Sequence, residues 1–133
     1  GEAYVANRGQ AALRHMWPHR SLIAAGIPAP GHSDFAVCRV NPFTALGAMV
    51  TRRSQTGADL DASEAVTPIQ ALAAYTTLGA WAQREEADKG SLEIGKLADL
   101  AVLDTDILAC DPAAIRRTQV VATVVGGIPR HGG

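Results

Sequence analysis

The chain has 133 residues, a mass of 13.9 kDa and a formal net charge of −1. Alanine supplies 25 of its apolar residues and Val, Ile, Leu and Phe together only 30, so bulky core formers are scarce even for one small domain. The 12 Lys and Arg nearly balance the 13 Asp and Glu, which excludes a field that draws nucleic acid or an anionic membrane, and no apolar run is long enough to span a bilayer.

Residues 1–8 read as irregular. A helical pattern begins near Gly9, with Leu13, Met16 and Trp17 at i, i+3, i+4 spacing. Pro18 removes a backbone donor and breaks that pattern, and a second helical piece runs to Ala25. Gly26 fits the left-handed position that ends it. Residues 27–33, I-P-A-P-G-H-S, hold two prolines and read as an extended loop or a distorted strand, followed by a linker over 34–40. Asn41 is a good N-cap and Pro42 a good first helical residue. Phe43, Leu46, Met49 and Val50 form the apolar stripe of the helix they open. Arg52 and Arg53 close it, at the negative end of its dipole.

Residues 54–66 form a polar loop of a length that is either functional or mobile. Thr67-Pro68-Ile69-Gln70 then makes a capping box. The spacing predicts Ile69, Leu72, Ala73 and Thr76 as the buried face of a helix ending near 80–83. Residues 84–89 read as a solvated loop or a fraying helix end. Gly90 and Gly95 mark turns that feed a short strand at 98–104, apolar on both faces. Asp111-Pro112 caps a short helix to about Arg117, residues 119–125 read as a strand, and Gly126-Gly127 is a hairpin signal. The predicted fold class is α/β, with helices to residue 83 and two or three strands after it. So few short strands form no stable sheet without a covering layer.

His32-Ser33-Asp34 is the strongest candidate for chemistry. A carboxylate at the end of an extended segment can ligate a metal or take a proton from water; the plain alternative is that Ser33 or Asp34 caps a turn. His15 and His19 have the i, i+4 spacing of a zinc pair, but Pro18 separates them and surface histidines are expected. Asp59, Asp61 and Glu64 lack the spacing of a calcium loop and read as solvated. His131 lies in a Gly-rich end expected to be disordered. Cys38 and Cys110 are expected to be buried free thiols. With no leader pattern over residues 1–15, they point to the cytoplasm.

The run 90–104, G-S-L-E-I-G-K-L-A-D-L-A-V-L-D, resembles the G-S-(L/I)-x-x-G-K-x-A-D-(L/F)-x-V-L-D stretch of the amidohydrolase superfamily. Residues 18–26 resemble its P-x-R-S-L-x-x-A-G helix, and Ser33-Asp34 stand where it carries a Ser-Asp at the last barrel strand. Residues 41–52, 66–76 and 119–127 are similar to its x-P-(L/F)…V-T-R, L-T-P-x-x-A-L-x-x-Y-T and V-x-x-T-(I/V)-V-G-G segments. The likeness runs through residues 16–127 and is closest to the YtcJ-like, N-substituted formamide deformylase-like branch. His32 stands where a glycine is usual, Pro30 interrupts the strand, and Phe35 replaces a small residue.

This resemblance implies the end of a (β/α)8 barrel over residues 1–83 and part of a small β-sandwich over 84–133. It implies hydrolysis of non-peptide C–N bonds of a small amide by metal-activated water. Asp34 would be catalytic and a metal ligand, and His32 would touch substrate. Zn2+ is the cofactor implied for complete enzymes, with none held by this chain alone. A barrel takes about 250 residues, and the remaining ligand histidines have no counterpart here. Two expectations follow: an inactive portion of a hydrolase that needs the missing barrel half, or a non-catalytic protein that self-associates as a homo-oligomer or binds a partner through strand edges and apolar helix faces. Neither involves nucleic acid or a membrane.

Overall fold

The structure is a computed structural model and describes residues 2–38 and 40–132. Of the predicted linker over 34–40, Arg39 lies outside the described residues. The helices are α1 (Glu2–Arg8), α2 (His19–Ala24), α3 (Pro42–Thr51), α4 (Pro68–Tyr75) and α5 (Thr77–Gln83), with 3-10 turns at Gln10–His15, Ala62–Glu64 and Pro112–Arg117. The strands are β1 (Leu100–Leu103), β2 (Val120–Val125) and β3 (Ile128–His131). Helices followed by one antiparallel sheet agree with the α/β expectation at that level. No helix of the described residues is long and apolar enough to cross a membrane.

The start of the chain differs from expectation. Residues 2–8 are helical rather than irregular, because tertiary contacts hold them. The Tyr4 ring meets Trp17 edge-on at a centroid distance of 5.3 Å, and the Glu2 carboxylate accepts from the hydroxyls of Ser54 and Thr56. The stretch from Gly9 is a 3-10 turn ending before Pro18, and α2 follows it as the proline break predicts. α2 has Pro18 at its N-cap and no local side-chain cap. Glu64, 43 residues away, supplies one: its carboxylate accepts from the Ser21 N–H at 2.9 Å and from the Ser21 hydroxyl.

α3 and α4 start as their sequences dictate. Asn41 Oδ1 accepts from Phe43 N–H at 2.9 Å, and Thr67 and Gln70 make both bonds of a capping box. The predicted buried face of α4 is corrected. Ile69 is exposed, while Ala71 and Ala74 are buried, because small side chains let α4 lie close to its neighbours. The helix also breaks at Thr76, where the hydroxyls of Thr76 and Thr77 back-bond to the carbonyls of Leu72 and Ala73.

The main core joins the two halves of the sequence. Phe43 and Leu46 from α3 pack with Val66, Ala71, Ile107 and Ile115. α3 lies against the 112–117 turn, and Gly47 makes this possible: a Cβ there would overlap the stem of Arg116. Arg116 then donates to the carbonyls of Ser54, at 2.6 Å, and Arg53.

The sheet has the order β1-β2-β3, all antiparallel, with Leu100 opposite Val124 and Thr123 opposite His131. His131 is therefore placed in a strand, contrary to the disorder expected of it. The Gly126-Gly127 turn carries the chain back far enough for four strand residues, three of them opposite partners on β2, and Pro129 is tolerated because β3 is an edge. Strand 100–103 is less buried than predicted, with Ala101 and Val102 exposed. The outer edge of β1 has no strand partner among the described residues and borders a groove of about 780 Å3. That groove is lined by Phe43, Leu46, Leu72, Tyr75, Leu100 and Leu103, among others.

Candidate functional site

Between α2 and α3 the chain crosses residues 27–41 with no strand among the described ones. This is the segment that carries His32 and Asp34. Asp34 adopts φ 49°, a left-handed conformation that Asp tolerates better than most residues. Its N–H donates to His32 Nδ1 at 3.1 Å, so the ring is used locally as an acceptor and Nε2 is the nitrogen left for other contacts. Both residues are exposed, and their contact is this one bond from the Asp34 backbone to the His32 ring.

Apart from the bonds at its two ends, Ile27 N–H to the Leu22 carbonyl and Phe43 N–H to Asn41 Oδ1, two hydrogen bonds tie this segment to the helices. The Gly31 N–H donates to the Ala74 carbonyl at 2.9 Å, and the Tyr75 hydroxyl donates to the His32 carbonyl at 3.1 Å. Partial burial, with a smaller contribution from Cys38, pushes the Tyr75 phenol above its ordinary value, so it stays protonated and able to donate. Beyond Asp34, Phe35 and Val37 point into solvent at 74% and 80% exposure.

A catalytic zinc takes three protein ligands and keeps one position open. His32 and Asp34 supply two side chains, one with its Nδ1 already engaged. No group of three His, Cys, Asp or Glu that could hold a metal occurs among the described residues. These residues therefore do not fit a catalytic metal by themselves.

The other sequence candidates lie elsewhere. His15 and His19 fall in different elements, on either side of Pro18. Cys38 and Cys110 are free thiols, but neither is fully buried: Cys38 is exposed because its loop stands away from the core, and Cys110 is half-buried at the edge of the core. Asp61 caps the Ala62–Glu64 turn through the Ser63 N–H at 3.0 Å, and hydrogen bonds from Ser63 hold its carboxyl below the usual range.

Glu64 is buried, not solvated. The Ser21 hydroxyl and then the Ser21 N–H lower its pKa, with the Arg52 charge adding to them. Arg52 is the other residue whose place the sequence did not show. It ends α3 in a left-handed conformation, and its buried guanidinium donates to the carbonyls of Leu60 (3.1 Å), Asp61 (3.1 Å), Met16 (3.2 Å) and Leu13 (3.4 Å). Burial lowers its pKa, and the nearby charges of Asp61 and Glu64 oppose that shift. The available signal was a pair of opposite charges, Arg52 just before the loop and Glu64 within it, beside the apolar Leu60 and Val66.

A profile described as "Amidohydrolase family" matches residues 2–131. The N-substituted formamide deformylase of Arthrobacter pascens is 36% identical over 116 residues, which are 87% of this chain and 21% of that protein. YtcJ of Bacillus subtilis (strain 168) is 30% identical over 122 residues, 90% of this chain and 23% of that protein. The chain thus spans less than a quarter of the length of these relatives.

Proposed function

The chain belongs to the amidohydrolase family, and from that premise we propose that it is a portion of a hydrolase acting on non-peptide C–N bonds of the amide or formamide type. The observation that carries this reading is the family match over nearly the whole chain, with Asp34 exposed inside it. Asp34 serves as the general base and acid. It accepts a proton as water adds to the carbonyl carbon, then delivers that proton to nitrogen as the C–N bond breaks, and the carboxylate is regenerated. His32, beside it, contacts the substrate. The zinc expected of a complete enzyme would need ligands from outside these residues, because His32 and Asp34 do not make a set.

In this reading residues 1–83 complete a barrel and 84–133 belong to a β-sandwich, and the chain alone is inactive. Surface area supports an unfinished assembly. The chain exposes 8623 Å2, whereas a compact monomer of its mass exposes about 6,700 Å2. The excess, about 2,000 Å2, is the scale of a large protein–protein interface. The same excess favours a second reading, in which copies of this chain cover one another.

The test is a chimera with residues 2–131 in place of the matched segment of the Arthrobacter deformylase, assayed on an N-alkyl formamide. Turnover is expected, with Asp34→Asn lowering kcat by about 10³-fold. Unchanged turnover in Asp34→Asn removes that residue from the mechanism. The isolated chain is expected to hold no stoichiometric zinc and to hydrolyse nothing. One tight zinc per chain together with amide hydrolysis would overturn the reading. Light scattering separates the second reading, which requires a stable dimer or larger oligomer.

A further inference from the structure

We propose that Tyr75 is a positioning residue for the His32–Asp34 segment: its ring and hydroxyl, projected from the end of α4, set the backbone path that aims the Asp34 side chain. The inference rests on the hydrolytic reading for its functional meaning, but its geometry stands independently.

The segment 28–38 contains no helix or strand among its residues, so its shape depends on what holds it. Among the described residues, its hydrogen bonds to the rest of the chain are Gly31 N–H to Ala74 O and Tyr75 Oη–H to His32 O. Both partners sit at the last two positions of α4. A third contact is steric. The ring of Tyr75 lies so close to Gly31 that a Cβ at that position would overlap its Cε2 and Cδ2 atoms, and Gly31 has none.

Tyr75 therefore holds the segment at two successive residues, by packing at Gly31 and by a hydrogen bond at His32. The next link is the Asp34 N–H bond to His32 Nδ1, which fixes Asp34 in its left-handed conformation. The chain of contacts runs from the α4 terminus through residues 31 and 32 to residue 34 without a gap larger than one residue. The partial burial of Tyr75 suits the role. A half-buried ring has few orientations, and its protonated hydroxyl donates to a single carbonyl.

The test uses the 133-residue chain and 1H–15N spectra. In the unmodified protein, Tyr75 ring protons should show NOEs to the Gly31 α-protons; their absence overturns the proposal outright. Tyr75→Phe keeps the ring and removes only the donor. It should shift the amide resonances of His32, Ser33 and Asp34 while those of Leu46 and Ile115 in the core stay in place. Gly31→Ala should displace the same three resonances by pushing the segment off the ring. If Tyr75→Phe leaves residues 32–34 unchanged, or moves core resonances as much as site resonances, Tyr75 is an ordinary packing residue. In the formamide-hydrolysing chimera, Tyr75→Phe should lower kcat by about tenfold with KM within about twofold. A KM rise at constant kcat counts against a positioning role. Failure of the hydrolytic reading shows differently, as a lack of turnover in the chimera carrying the original Tyr75, with the spectral result unaffected.

Discussion

Two connections of similar length flank α3, and they are built on opposite terms. The loop over 54–66 is polar in sequence yet fastened from within. Leu60, Glu64 and Val66 are buried, Arg52 binds its carbonyls, and Arg116 binds the carbonyl of Ser54 where it begins. The segment over 27–40 is richer in apolar residues yet, apart from the buried Ala29, stands outside, with Phe35, Val37 and Val40 exposed and, beyond the Ile27 N–H bond to Leu22 at its start, two hydrogen bonds holding it. The difference lies in which side chains reach back to the body. A buried guanidinium can satisfy several carbonyls at once, and each of those is costly to strand. The first loop is therefore part of the scaffold. The second is free to present Asp34 and His32, and only its root is controlled.

The largest expected effect comes from removing the fastening. Arg52→Ala leaves four carbonyls, from Leu13, Met16, Leu60 and Asp61, without their donor in a buried place. The cost should be roughly 3 kcal/mol, read as a drop in the urea midpoint at constant slope. Arg52→Lys should recover only part of it, since one ammonium cannot match the fork. The chemical shifts of residues 32–34 should change far less than those of 54–66. A variant that disturbs both loops equally would erase the distinction between them.

How far this contrast was legible in the sequence depends on the range of the contacts. Asn41-Pro42 and Thr67-Pro68-Ile69-Gln70 announced their helix starts because a cap and its partner lie within three residues. The Asp34 N–H bond to His32 Nδ1 is just as local, though the sequence singled out only the run His32-Ser33-Asp34 and not that bond. Arg52 read as a dipole partner for its own helix, because carbonyls of residues 13 and 16 are invisible to local pattern. Glu64 capping Ser21 across 43 residues is the same failure, and so is α1, held by Trp17 and by Ser54. The exposed Ile69 shows another limit. Helical periodicity predicts that one face is buried, but close packing through Ala71 and Ala74 decided which. Tyr75 stood inside a recognisable motif, yet its role required Gly31 and His32 to be brought beside it.

A smaller effect should come from Glu64, and pH gives it a sign. The Ser21 hydroxyl and N–H hold its folded pKa below the ordinary carboxylate value. Its stabilisation is therefore complete above about pH 5 and is lost as the pH falls through the depressed folded value. Glu64→Gln keeps an acceptor for Ser21 but removes the charge, and should cost roughly 1 kcal/mol near neutrality. The gap between the unmodified chain and the variant should then narrow steadily below about pH 4. Denaturant titrations at a series of pH values measure it. A gap independent of pH would show that Glu64 acts by shape rather than by charge, and would weaken the claim that charged side chains hold the first loop.

The smallest effect is expected where apolar side chains are most conspicuous. Phe35 and Val37 are 74% and 80% exposed, so they have surrendered little surface to the fold. Burial free energy scales with the apolar area removed from water, and side chains still in water contribute little of it. The double variant Phe35→Ser, Val37→Ser should therefore leave the unfolding free energy within about 0.5 kcal/mol of its original value. It should also reduce self-association if copies of the chain cover these side chains, which light scattering would register as a shift toward monomer. In the formamide-hydrolysing chimera the same variant should preserve kcat, because the ties that set Asp34 run through Gly31 and His32 rather than through residues beyond it. A stability loss of several kcal/mol would mean that this segment is packed as firmly as the loop on the other side of α3, and the contrast between a scaffold loop and a presenting loop would fall with it.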